Sequence, residues 1–176
     1  MSKYVLRVKG RHIWNPSNFG LAVLLFLAPE TMAVLSIQWG NNYWSLLVIW
    51  TLGSIIIWRA RRFHISVTYV ISFFLFAFLR SWITGDPVLA EIAPITGPMY
   101  QLFVFFMITD PKTTVRSRTG QCVVAFCVAL AEFILRLDQV VYAPIFALFF
   151  VGPAANLVEI WWDSRAKAAA SASSVR

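Results

Sequence analysis

The stretch "FFMITDPKTTVRSRTGQ" carries an apolar run into an aspartate, a proline and a hydroxyl-rich basic loop. Asp110 falls where a helix ends, and the negative end of a helix dipole disfavours an anion unless something compensates it. Pro111 stops the helix and biases Asp110 toward extended backbone, so its carboxylate is free to project. Three partners are open to it: Arg116 or Arg118 folding back, the capping amides of another helix, or an N–H group of a ligand. A second polar group stands in "RHIWNPSNFG", where Asn15 is a good N-cap, Pro16 suits the first helical position and Ser17 and Asn18 follow. Its free N–H groups make a seat for an acceptor or an anion, as well as an ordinary cap.

Four further ionisable residues, Glu30, Arg80, Glu132 and Arg136, fall inside apolar runs, where each is costly enough to need a partner. At about 1.5 Å per residue, Glu30, Arg80 and Arg136 lie roughly 20 Å along their helices from the basic side. Glu132 and Arg136, spaced i,i+4, share one helix face. Mutual neutralisation is the sober account, fixing the first, third and fifth helices together; an ion or proton path carried by Glu30 or Glu132 is the sharper one. Asn156 and Glu159 follow Pro153 on the last helix and approach the corner of Asn15 and Asp110. His12 and His64 are far apart, and Cys122 and Cys127 lie on different helix faces, so no metal centre is expected. No phosphate-binding loop or catalytic triad spacing is present.

The elements that position these residues are apolar helices. Apolar residues make up 59% of the chain and charged residues 13%, a membrane protein's balance. The pattern predicts an all-α integral membrane bundle of about six transmembrane helices, near 16–38, 42–60, 64–84, 92–109, 119–138 and 140–162. The fourth is the weak one: 97–109 reaches only roughly 20 Å of a core about 30 Å thick, so upstream "VLAEIAPIT" extends it, lies in the interface or re-enters. Residues 1–163 form one domain, and 164–176 read as a flexible tail. All but two of the 15 basic residues lie in the N-terminal arm, "RARRFH", the loop after Asp110 and the tail, with none near 38–42 or 85–96. That alternation puts both termini of a multi-pass protein in the cytoplasm. The formal net charge of +7 then reflects topology and contact with anionic lipid, not nucleic acid.

"HIWNPSNFGLAVLLFLAP", "RARRFHISVTYV", "FFMITDPKTTVRSRTGQ" and "GPAANLVEIWWD" resemble, in order and spacing, landmarks of the D subunit of the Rnf electron-transport complex and the B subunit of the sodium-translocating NADH:quinone oxidoreductase. A shorter relative from enediyne biosynthesis is similar too. Asn15, Pro16, Thr109, Asp110 and Pro111 match the family's residues. The resemblance implies a membrane component of a redox complex, with a non-covalent flavin (FMN or riboflavin) or a quinone at the cytoplasmic interface. On chemical grounds Asp110 would accept from the flavin ring, Asn15, Ser17, Asn18 or Thr113 would serve its carbonyls, and Lys112 or Arg116 would meet a phosphate. A covalent flavin is not expected, because "QWGNN" stands where the family carries its flavin-bearing insertion. The chain resembles the second half of the family's fold, which implies other membrane-protein subunits as partners, or self-association. A cofactor-free structural protein of a larger complex and a small proton- or ion-coupled transporter are the alternatives.

Overall fold

The computed structural model describes residues 7–8, 11–30 and 43–174, with side chains over 12–30 and 43–166. Among the described residues, a two-residue antiparallel pair, β1 (Arg7–Val8) and β2 (Arg11–His12), precedes seven α-helices. These are α1 (Pro16–Leu27), α2 (Tyr43–Ala60), α3 (Phe63–Thr84), α4 (Val88–Ile92), α5 (Pro98–Leu102), α6 (Arg118–Leu137) and α7 (Ala143–Ser174). A 3-10 turn, Ala93–Thr96, joins α4 to α5, and a π-helical stretch, Phe103–Met107, continues α5. The fold is all-α. Among the described residues, α2, α3, α6 and α7 as far as Ala166 are long and apolar enough to cross a membrane.

The fourth predicted span, 92–109, is not one straight helix. It begins at Val88 and bends by 62° between Val88–Thr96 and Pro98–Met107, a broken span or a re-entrant loop. Pro94 and Pro98 account for the break, since neither has an N–H to carry the helix through Gly97. The first predicted span is helical through Leu27, and residues 31–38 of it lie outside the described residues. At the other end of the chain, the backbone stays helical past Asp163 to Ser174 where the composition suggested a loose tail. Alanine, the best helix former, dominates "AKAAASAS".

Helix boundaries follow their chemistry. Asn15 caps α1, its Oδ1 accepting from the amides of Ser17 at 2.9 Å and Asn18 at 3.2 Å, with Pro16 at the first helical position. Gly85, at φ +80°, closes α3 in a left-handed turn that a side chain would strain. Ser117 caps α6 by accepting from the Gly120 amide at 3.1 Å.

Packing centres on α3, α6 and α7, around Ile65, Tyr69, Phe103, Val128, Ala129 and Ala147. α1 lies on α7 through Ala22, Leu25 and Ile145. α2 rests on the π-helical stretch where Gly53 meets Phe105; a Cβ at Gly53 would stand 2.6 Å from the ring's Cγ. Its other faces expose Trp44, Leu47, Trp50, Leu52, Ile55 and Trp58. Apolar side chains turned outward on a helix this long are what lipid or neighbouring helices would cover.

Candidate functional site

The basic segments meet at one end of the bundle, and a π-helical stretch is what lets them interlock. Its backbone bonds reach five residues along the chain, as in Ile108 N–H to the Phe103 carbonyl at 3.1 Å, and displace neighbouring carbonyls from ordinary helical partners. Side chains from elsewhere take them up. Ser66 Oγ donates to the Val104 carbonyl at 3.0 Å, and Asn15 Nδ2 donates to the Met107 carbonyl at 3.2 Å. Asn15 therefore caps α1 and also ties it to the helix that leads into Asp110.

Asp110 closes a turn on itself. Its Oδ1 accepts from the Lys112 amide at 3.1 Å and its Oδ2 from Thr113 Oγ1 at 3.0 Å, while its carbonyl accepts from Thr114 Oγ1 at 2.5 Å. An aspartate followed by proline forms this local turn readily. On the α2–α3 turn, burial pulls the Arg62 guanidinium below its usual range, and the charge of the Asp110 carboxylate opposes that shift. Arg116, one of the partners open to Asp110 from sequence, lies instead by Asp163 at 3.8 Å with both side chains largely exposed, and its amide donates to Glu159 at 2.7 Å.

Asn156 on α7 completes the join by donating to the carbonyls of Thr113 at 2.6 Å and Ile13 at 3.4 Å. Asn15, Asn18, Asp110, Thr113 and Asn156 are thus gathered at one corner, whereas Ser17, Lys112 and Arg116 are exposed at its rim. Buried there without hydrogen-bond partners are Asn18 Oδ1, Asn156 Oδ1 and Arg62 Nη1. A void beside the loop, lined by Thr113, Thr114 and Gln121 among apolar neighbours, measures about 20 Å³, room for one water.

The opposite end holds the charges that fall inside the apolar runs. Glu132, 1% exposed, accepts from the hydroxyls of Tyr69 and Tyr100, the latter at 2.5 Å, and from Arg136 Nε at 2.9 Å. The Arg136 guanidinium also meets the Tyr100 hydroxyl and sits over the rings of Phe73 and Tyr100 at 5.6 and 5.2 Å. Arg80 pairs with Glu91 and reaches that residue's carbonyl at 3.4 Å. Glu30, expected at this level, is exposed beyond the end of α1 and makes none of these bonds. Glu91 stands where Glu30 was expected. Sequence reading missed Glu91, Tyr69 and Tyr100: Glu91 lies in the segment read as a helix extension, an interfacial stretch or a re-entrant one, and tyrosines give no signal among so many aromatics.

Beside this network opens a cavity of about 950 Å³. Arg80, Glu91, Tyr100 and Arg136 form its polar floor, and Thr84, Asp86 and Gln139 line it where α3 and α6 end. Its remaining wall is largely apolar, running along the α5 helix and its π-helical continuation to Met107 and across to Leu21 on α1. Among the described residues no three His, Cys, Asp or Glu side chains are grouped to hold a metal ion, and Cys122 and Cys127 are free thiols. Neither a family model, nor a curated protein, nor a solved structure matches the chain.

Proposed function

We propose that the chain is an integral membrane protein that holds a larger assembly together, with its basic end toward the cytoplasm. The observation that carries this reading is where the polar side chains of the basic corner are spent. Asn15 and Asn156 donate to backbone carbonyls of Met107 and Thr113, Asn156 also to that of Ile13, and Asp110 accepts from its own loop, so that the N-terminal arm, the Asp110 loop and α7 are welded together. A welded end and long outward-facing apolar helices suit a scaffold whose other surfaces meet lipid and neighbouring proteins. The resemblance to the Rnf family makes a redox complex the assembly to look for.

A second reading has its own support. Asn18 Oδ1, Asn156 Oδ1 and Arg62 Nη1 are two acceptors and a donor left buried and unsatisfied at the corner, which the polar edge of a non-covalent flavin or a quinone would satisfy. The transporter reading is the weakest of the three, because Glu132 is engaged by two tyrosines and an arginine.

Membranes from a deletion strain and from an Asp110→Ala strain separate the first two. The scaffold reading requires that deletion abolish the redox activity of the co-purifying complex while Asp110→Ala leaves it intact. Yellow protein that releases flavin on acid precipitation, and loses it in Asp110→Ala together with activity, would replace the scaffold with a cofactor seat.

A further inference from the structure

The geometry points to the large cavity at the end opposite the basic loops as a binding site for one amphiphile with an oxygen-acceptor head, a carboxylate or a quinone carbonyl, and a flexible apolar body. The floor of the site, Arg80, Glu91, Tyr100 and Arg136, shares no bond with the welded corner, and Met107 on the apolar wall meets both.

The head follows from the hydrogen bonds left over on the floor. A guanidinium carries five N–H donors. Arg136 uses its donors on Glu132 and Tyr100, and Arg80 on the side chain and carbonyl of Glu91. Glu132, in contrast, accepts from three donors, Tyr69, Tyr100 and Arg136. At the floor both guanidiniums thus keep N–H groups beyond these bonds, and an acceptor head would meet them. Asp86 and Glu91 are the acids on its lining, and Arg80 and Arg136 offset them, so charge alone prefers neither a cationic nor an anionic head.

The body follows from the walls. From Pro98 to Met107 the lining runs roughly 13 Å along the helix at about 1.5 Å per residue, past Met99 and Leu102. Arg80, Glu91 and Arg136 belong to one end of that path and Leu21, Leu102 and Met107 to the other, which matches an amphiphile lying with its head at Tyr100 and its tail toward Met107 and Leu21. The volume, about 950 Å³, falls at the upper end of single-ligand cavities, roughly 300–1,000 Å³. A polar substrate would leave most of this wall unmatched; a wholly apolar one would leave the guanidinium donors unmet.

Native mass spectrometry of the full chain in detergent tests the assignment, with deuterated oleate and a decyl-substituted benzoquinone offered separately. One equivalent of at least one probe should stay bound after dilution. Oleate alone identifies a carboxylate head, the quinone alone a carbonyl head, and both together a site that reads only the acceptor. Ala90→Trp and Val140→Trp each put an indole into the cavity from a different wall without touching the ionic floor, and each should lower occupancy by about tenfold or more at an unchanged unfolding midpoint. Retention of neither probe above the detergent background overturns the proposal, and so does equal retention by wild type and a folded filled variant.

Discussion

The two ends of this bundle solve one problem, polar groups beside hydrocarbon, in opposite ways. At the basic end, side chains answer backbone: Asn15, Asn156 and Ser66 each donate to a carbonyl, and Asp110 accepts from its own loop. At the far end, side chains answer one another, in a chain of Tyr69, Glu132, Arg136 and Tyr100 with the Arg80–Glu91 pair alongside. The first arrangement consumes its polar capacity in holding segments together and encloses little space. The second leaves donors over beside a cavity. Volume and spare hydrogen-bonding capacity, more than the number of polar residues, mark where a guest can go.

The contrast predicts unequal costs of damage. Glu132→Ala should be the most severe single change, since it strands a buried Arg136 and two tyrosyl hydroxyls; removing one partner of a buried ion pair costs about 3–5 kcal/mol. The midpoint of unfolding in SDS measures it, and a midpoint within error of wild type would show that the network holds nothing together. Glu132→Gln, which keeps an acceptor for the tyrosines, should recover part of the loss. Asn156→Ala comes next. Two backbone carbonyls lose their donor there, worth about 1–3 kcal/mol when such groups stay buried, and protease cleavage after Lys112 should accelerate as the loop comes away from α7.

These costs explain what the sequence could and could not reveal. The apolar runs were legible because lipid-facing helices need little more than length and hydropathy, and α2, α3, α6 and α7 follow them closely. The capped start of α1 was legible too, because Asn15 and Pro16 act within a few residues of themselves. Asp110 and Asn156 were recognisable as polar residues converging on one end. Their actual partners were not, since an asparagine that donates to a carbonyl 43 residues away leaves no local pattern. The same limit hid Glu91: the sequence placed Glu30 at the level of Arg80 by counting residues along straight helices. The turn at Gly85 lays the short helix Val88–Ile92 beside α3 and brings a different acid there. Broken helices defeat depth counting because the rise per residue no longer points across the membrane.

The smallest effects belong to the charges at the basic rim, and they sharpen the comparison by telling a facing pair from a merely adjacent one. Arg62 is half-buried, with Nη1 lacking a hydrogen-bond partner and the Asp110 carboxylate close enough to favour its charged form. Arg116 and Asp163 lie 3.8 Å apart with both side chains more than half exposed, so water and salt screen them. A double-mutant cycle on Arg62 and Asp110, each changed to Ala, should give a coupling of about 0.5–1 kcal/mol in the unfolding midpoint. The same cycle on Arg116 and Asp163 should give none that can be measured. Reversal of that order would mean that the exposed pair, not the enclosed loop, secures the Asp110 segment to the end of α7, and that the corner is held from its rim.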